Sequence, residues 1–218
     1  MITIACVLRE GGKVGYNATW VEKLQNAVSR NLTVPYRFIC LSDCEVPCER
    51  IPLDDIGTGW WAKMQLFKPN ALTGPTLFFD LDTVIFGDLN PLVEILLEQD
   101  RFVMWRDDTI NISSSAIMYW NGDYSHIYEN YIENANHYHE TFSLKNQGLD
   151  RQVGDQAVIS KIVPHVHIND LIPSEWIRLV SKHDERLDFS NSKIMIFKKV
   201  SSKPSTLPNH KIVKAHWN

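Results

Sequence analysis

The order of apolar segments predicts an α/β protein with a mainly parallel central sheet, flanking helices and a small antiparallel extension. Two observations support this prediction. Over the first 85 residues, short apolar runs alternate with helical spacing, as in a βαβ unit. In the second half, the apolar runs 102–105 and 115–120 follow each other closely, as in an antiparallel pair of strands.

Local patterns define the elements of the first half. Residues 2–8 are apolar and rich in β-branched side chains, which favours a strand. Residues 18–30 carry apolar side chains at helical spacing. The run 76–79 is too apolar to alternate, which predicts a central strand covered on both faces. The remaining predictions are strands over 36–41 and 50–53 and a helix over 60–68 that Pro69 ends.

The second half adds further helices and one last strand. Helices are predicted over 124–135 and 154–162, and a strand over 194–197. The chain has 218 residues and a mass of 25.2 kDa, without an internal repeat or a linker rich in proline and glycine. Residues 1–218 are therefore predicted to form one domain.

Composition and charge exclude several classes of function. A formal charge of -4 and a pI near 6.0 argue against general nucleic-acid binding, which favours a basic surface. No run approaches the roughly 18 apolar residues that a membrane span requires. The first residues lack the basic start of a signal peptide, so the expected location is the cytoplasm. The four cysteines match no common metal spacing and are expected to be reduced thiols.

Basic residues are concentrated near the end of this sequence. Six lysines and no acidic residue lie between 193 and 218, which leaves residues 1–192 with an excess of acids. Such a segment is often only a solvated surface. It could also close over an anionic ligand that the acidic body holds.

The most informative segment is an Asp-x-Asp motif, Asp80-Leu81-Asp82, directly after the apolar run 76–79. On an extended backbone the two carboxylates point to the same side, a few ångströms apart. Because two unpaired carboxylates repel, the arrangement favours a divalent cation with oxygen ligands, Mg²⁺ or Mn²⁺. The alternative is an acidic turn that caps the next helix.

One class of enzyme with this motif fits poorly. In haloacid-dehalogenase-type phosphatases a glycine follows the second aspartate, and the motif lies on the first strand, where its first aspartate accepts a phosphoryl group. Here Thr83 follows Asp82, and a βαβ pattern precedes the motif. A phosphatase with Asp80 as nucleophile is therefore the less favoured alternative.

The segment from Phe78 to Leu89 resembles the DxD segment of GT-A-fold glycosyltransferases, in particular the glycogenin and bacterial galactosyltransferase-like group. Four other segments resemble the same group in the same order, so that the resemblance covers most of the chain from 2 to 217. These segments are 61–66 with Lys63, 113–118, the helix start Gly154-Asp155-Gln156, and Lys203-Pro204.

The resemblance implies a GT-A fold and a role for each matching residue. The residues implied to bind the nucleotide-sugar donor are Val7, Leu8, Arg9, Lys63, Asp80, Leu81, Ser113 and Lys203, with further positive charge from Lys198 or Lys199. The implied metal ligands are Asp80, Asp82 and His216, and the implied catalytic residues are Asp155 and Gln156.

Two positions depart from the group. Its usual histidine before Lys-Pro is missing between 196 and 204, so His216 is expected to replace it if the chain folds back; otherwise the diphosphate and water complete the coordination. Ser113 stands where the group has asparagine, unless Asn111 serves through a shift in register.

These features predict a metal-dependent transferase that moves a hexose from a UDP-sugar to an unidentified carbohydrate or glycoconjugate acceptor. The resemblance implies retention of anomeric configuration, whereas Asp155 as a general base would give inversion. A non-catalytic nucleotide-sugar-binding module is the other alternative. The pairs His137/His139 and His165/His167 would each align two imidazoles if extended, but without a third ligand they are predicted to be surface histidines.

Overall fold

The computed structural model describes residues 1–143, 152–180, 188–197 and 203–218. Its strands form two sheets. The strands are β1 (Ile2–Leu8), β2 (Tyr36–Ser42), β3 (Glu49–Pro52), β4 (Thr76–Phe79), β5 (Val84–Ile85), β6 (Phe102–Asp107), β7 (Ile112–Trp120), β8 (His165–His167), β9 (Ile177–Val180) and β10 (Ile194–Phe197).

The larger sheet has seven strands in the order β3-β2-β1-β4-β7-β6-β8. Neighbouring strands are parallel except at β7, which runs antiparallel to both β4 and β6. The predicted mainly parallel sheet and its antiparallel pair are therefore confirmed. All four residues of β4 are buried, as expected of a central strand covered on both faces.

The smaller sheet has three strands in the order β5-β10-β9. β10 pairs antiparallel with β5 and parallel with β9. The strand predicted over 194–197 is thus confirmed. Its partners β5 and β9 were not predicted, because runs of two and four residues are too short to show a period.

Helices cover both faces of the larger sheet. They are α1 (Ala18–Asn31), α2 (Asn90–Leu97), α3 (Ser125–Thr141) and α4 (Gly154–Ile162), together with a 3-10 helix at Gly59–Phe67, whereas α5 (Lys211–His216) packs against the smaller sheet. The predicted helix over 60–68 is thus a 3-10 helix, and α3 runs further than predicted. The Asn17 side chain caps α1 by accepting from the Thr19 N–H at 3.0 Å.

Each face of the sheet has its own hydrophobic core. α1 and α2 pack on one face, while α3, α4 and the 3-10 helix pack on the other. The residues after Lys203 fold back onto α1, where the Trp217 ring meets Trp20 edge-on at 4.8 Å between centroids. Within the described ranges, every helix is too short or too polar to span a bilayer.

Candidate active site

Asp80 and Asp82 lie in a tight turn at the carboxyl edge of the larger sheet. Asp80 directly follows β4, and its N–H donates to the Ala116 carbonyl of β7 at 2.9 Å. The Thr83 N–H donates back to the Asp80 carbonyl at 3.0 Å and closes the turn. The Asp80 side chain is 28% exposed and that of Asp82 only 4%. Ligands of parallel sheets bind at this edge.

Lys63 joins three side chains from different elements at this edge. Its ammonium nitrogen lies 2.7 Å from Asp80 Oδ1, 3.4 Å from Asp155 Oδ2 and 3.0 Å from Ser115 Oγ. Ser115 Oγ also donates to Asp155 Oδ2 at 2.5 Å. We call Lys63, Asp80, Ser115 and Asp155 the lysine cluster. The sequence singled out all of them except Ser115.

Burial and neighbouring charges shift the pKa of two members of the lysine cluster, Lys63 and Asp80. Burial alone would lower the pKa of Lys63, but Asp155 and Asp80 outweigh it and raise that pKa above the ordinary value, so the ammonium stays charged. Burial raises the pKa of Asp80 to about 6; Lys63 opposes this rise and the neighbouring Asp82 carboxylate adds to it. Asp80 and Asp82 are therefore close enough to repel, and a cation between them would relieve that repulsion.

Asp82 is held by partners from two distant parts of the sequence. Its Oδ2 accepts a hydrogen bond from the Tyr16 hydroxyl at 2.6 Å and forms an ion pair with Lys203. Lys203 also donates to the Phe197 carbonyl at 3.0 Å. Burial and the Asp82 charge raise the pKa of Tyr16, which keeps it a donor. The structure thus brings Lys203 to the motif, as expected, and adds Tyr16, which no spacing in the sequence indicated.

Four of the residues predicted to bind the donor, Val7, Leu8, Arg9 and Leu81, lie at or near the end of β1. Leu8 is fully buried in the core, Leu81 is 6% exposed, and Val7 and Arg9 are half-buried. Arg9 Nη2 donates to the carbonyls of Asp54 at 2.7 Å and Gly57 at 3.2 Å. Arg9 therefore fixes the loop 54–57 after β3, and contact of these residues with a base stays a prediction.

Ser113 and His216 do not join the lysine cluster in the structure. The Ser113 hydroxyl lies between the imidazoles of His165 and His167. The His216 ring packs 5.8 Å from that of Phe86. Across the described ranges, no three His, Cys, Asp or Glu side chains are grouped so as to hold a metal ion. The roles of both residues stay predictions, and Lys198 and Lys199 lie outside the described residues.

Gly154 lets α4 begin directly beneath an indole. Its φ is +67°, and a Cβ on it would lie 2.7 Å from Trp60 Nε1. Asp155 and the half-buried Gln156 are the next two residues. The close contact between Gly154 and Trp60 therefore positions the backbone that carries both side chains.

We expect Gly154→Ala to destabilise the protein more than a matched glycine replacement. Gly74 has a similar φ of +76° but open space where a Cβ would lie. Gly74→Ala should cost only the left-handed strain of about 1–2 kcal/mol, and Gly154→Ala roughly 1–3 kcal/mol more through the clash with Trp60. Urea unfolding of both variants measures the difference, and equal losses would show that Trp60 simply moves aside.

The fold is shared with glycosyltransferases of known structure. The galactosyltransferase LgtC, solved in complex with donor and acceptor sugar analogs, matches with a TM-score of 0.61 and 12% identity over 100% of this chain and 97% of its own. The glycosyltransferase GlyE from Streptococcus pneumoniae TIGR4 matches with a TM-score of 0.62 and 14% identity over 93% of this chain and 56% of its own.

A glycosyltransferase involved in glycosylation of the major capsid of PBCV-1 matches with a TM-score of 0.53 and 13% identity, over 89% of this chain and 91% of its own. No protein-family model and no curated protein matches the sequence. At these identities the likeness concerns the fold. The chain therefore has the GT-A fold that the sequence predicted, and the fold resembles that of the galactosyltransferase-like group.

Proposed function

We propose that the protein is a glycosyltransferase that moves a hexose from a UDP-sugar to a hydroxyl of a carbohydrate or glycoconjugate acceptor. The observation that carries this proposal is the lysine cluster, in which Lys63 ties the Asp-x-Asp turn to Asp155 at the start of α4. It lies at the carboxyl edge of a GT-A sheet, where such a fold binds its ligand. The phosphatase alternative loses support because its nucleophile belongs on the first strand, whereas Asp80 follows β4.

The groups around Asp82 suit a diphosphate. Departure of the nucleoside diphosphate builds negative charge on its β-phosphate, and the Lys203 ammonium at Asp82 supplies a positive charge at that edge. Asp80 and Asp82 fit Mn²⁺ or Mg²⁺, since both offer carboxylate oxygens and the two carboxylates repel each other. Such an ion, held by Asp80 and Asp82, would add Lewis-acid stabilisation of the departing phosphate.

The groups around Asp155 suit the sugar. The transition state of glycosyl transfer carries positive charge on the sugar ring, which a nearby carboxylate stabilises. The Asp155 carboxylate faces Lys63 and Ser115, both of which contact its Oδ2. This arrangement supports a role in orienting and stabilising the sugar, with Gln156 beside it, more than a role as a base. The resemblance implies retention of the anomeric configuration, whereas direct attack by an acceptor that a base activates would give inversion; NMR of the newly released sugar distinguishes the two outcomes.

Binding and turnover of UDP-sugars test the proposal. We expect calorimetry to detect UDP binding in the presence of MnCl₂, and EDTA to weaken that binding at least about tenfold, or about 1.4 kcal/mol. We also expect slow hydrolysis of UDP-galactose or UDP-glucose. A non-catalytic binding module would bind UDP and leave the donor intact. Absence of binding for UDP, GDP, ADP and CDP alike would overturn the proposed function.

A further inference from the structure

A chain of hydrogen-bonded side chains lies beside the lysine cluster and has no part in the function proposed above. Ser113 Oγ is 2.8 Å from His165 Nε2 and 2.9 Å from His167 Nε2. His167 Nδ1 lies 3.3 Å from Arg106 Nη1, and His165 Nδ1 lies 2.8 Å from the Val163 carbonyl. We call Arg106, His167, Ser113 and His165 the serine–histidine relay.

The two ends of the serine–histidine relay fix the direction of every hydrogen bond in it. A guanidinium only donates, so Arg106 donates to His167 Nδ1, and a neutral His167 then donates from Nε2 to Ser113. A carbonyl only accepts, so His165 donates from Nδ1 to Val163 and its Nε2 accepts from Ser113. The Ser113 oxygen therefore keeps one lone pair for the hydroxyl of a ligand.

The charged groups around the relay favour a neutral His167. Burial, His165 and Arg106 lower the pKa of His167, while Asp170 and Asp108 oppose this effect. Both acids are themselves paired with Arg106, Asp108 Oδ1 at 2.6 Å and Asp170 Oδ1 at 3.1 Å. Asp170 Oδ2 is 3.9 Å from His167 Nδ1.

The relay and the lysine cluster share one face of the sheet. His165 and His167 lie opposite Phe102 and Met104 of β6, whose side chains belong to the core that α4 covers. Ser113 precedes Ser115 by two positions on β7, which places the two side chains on the same face about 7 Å apart. Since Ser115 contacts Asp155, the relay lies directly beside the groups proposed to hold the sugar.

We propose that the serine–histidine relay takes the proton of the acceptor hydroxyl, a role that rests on the proposed glycosyl transfer. The acceptor O–H bond breaks as its proton passes to Ser113 Oγ, and the Ser113 proton passes to His165 Nε2, which becomes an imidazolium. The acceptor oxygen forms the bond to the anomeric carbon. The bond from that carbon to the phosphate oxygen breaks, and the leaving nucleoside diphosphate keeps the electron pair.

The site needs such a group because its carboxylates already have partners. Lys63 pairs with both Asp80 and Asp155, and Lys203 pairs with Asp82. Lys63 holds the Asp80 carboxylate at 2.7 Å, so this carboxylate faces the ammonium rather than the acceptor, although burial raises its pKa to about 6. A neutral imidazole, by contrast, is suited to general-base work near neutral pH, and His165 is held in the tautomer that accepts from Ser113.

Hydrolysis of UDP-galactose and UDP-glucose, with water as acceptor and MnCl₂ present, tests the relay. We expect Ser113→Ala and His165→Gln to lower the rate by about 10²-fold. His165→Gln should also change the dependence of the rate on pH, because the proposed proton acceptor is lost. Ser114→Ala is the matched control, because among the described residues Ser114 accepts a hydrogen bond from the Ala116 N–H of its own strand alone, and it lies on the other face. It should keep the natural rate.

Two outcomes would overturn the relay alone, and a third would overturn it together with the proposed function. If the natural chain hydrolyses donor but Ser113→Ala and Ser114→Ala behave alike, the relay is wrong and glycosyl transfer stands. If long-range ¹H–¹⁵N NMR of the free protein finds His165 protonated at Nε2 rather than Nδ1, the relay is also wrong. If no UDP-sugar is turned over, the proposed transfer and the relay both fail. Thermal unfolding of each variant identifies a loss of fold.

Discussion

Replacement of Asp82 by asparagine is expected to lower donor turnover by about 10²–10³-fold and to leave the protein folded. The carboxylate positions the Lys203 ammonium and belongs to the pair proposed to hold the cation, and a neutral amide does neither well. The fold should survive because the asparagine carbonyl still accepts from Tyr16, and Lys203 keeps its bond to the Phe197 carbonyl.

UDP-sugar hydrolysis and UDP calorimetry are to be measured for Asp82→Asn and for the control variant Asp100→Asn. The Asp100→Asn substitution removes the same charge, but Asp100 is exposed and lies before β6, at the opposite edge of the sheet. Asp100→Asn should behave as the natural protein. An unfolded Asp82→Asn protein would show that the acid is structural, and full turnover by a folded one would remove Asp82 from the site.

Replacement of Lys63 by methionine is expected to cause the largest loss of stability, about 3–5 kcal/mol, because it leaves buried carboxylates without their cation. Lys63 is 14% exposed and Asp155 only 5%, so water replaces little of the lost interaction. Ser115 would remain as a donor to Asp155 but carries no charge. Turnover should fall as well, since Asp80 and Asp155 would lose the group that holds them together.

A double-mutant cycle separates the ion pair from the packing of the lysine stem. Asp155→Asn in the Lys63→Met background removes one of the two unpaired charges, so it should recover part of the lost free energy of unfolding. Urea denaturation of the four proteins gives the coupling. If the two losses simply add, Lys63 and Asp155 do not interact and the lysine cluster is misassigned.

The sequence predicted most strands of the larger sheet because they are apolar and bounded by clear turns, whereas β8, three half-buried residues with two histidines, was not predicted. β4, for example, is a wholly apolar run, and its burial on both faces follows from that alone. The 3-10 helix at Gly59–Phe67 could not be told from an α-helix, since both place apolar residues on one side over so short a span.

The candidate site was predictable only where the residue itself carried the signal. Asp80, Asp82, Lys63 and Asp155 are charged residues in or beside apolar elements, and the structure brings them to one edge. The three serines at 113–115 gave no such signal. The face of the sheet to which each side chain points depends on the register of β7, and the β6–β7 pairing shifts between Met104 and Trp105. Tyr16 reaches Asp82 across the fold, which no local pattern encodes.

The two partners of Asp82, Tyr16 and Lys203, are separated by most of the sequence. The Lys203–Asp82 ion pair joins residues further apart in the sequence than Lys63 and Asp155 are, and a longer loop costs more entropy to close. Asp82 therefore gains its cation only when the segment that carries Lys203 docks on the rest of the fold. Competence to hold a diphosphate would then depend on that docking, which a partly folded chain lacks.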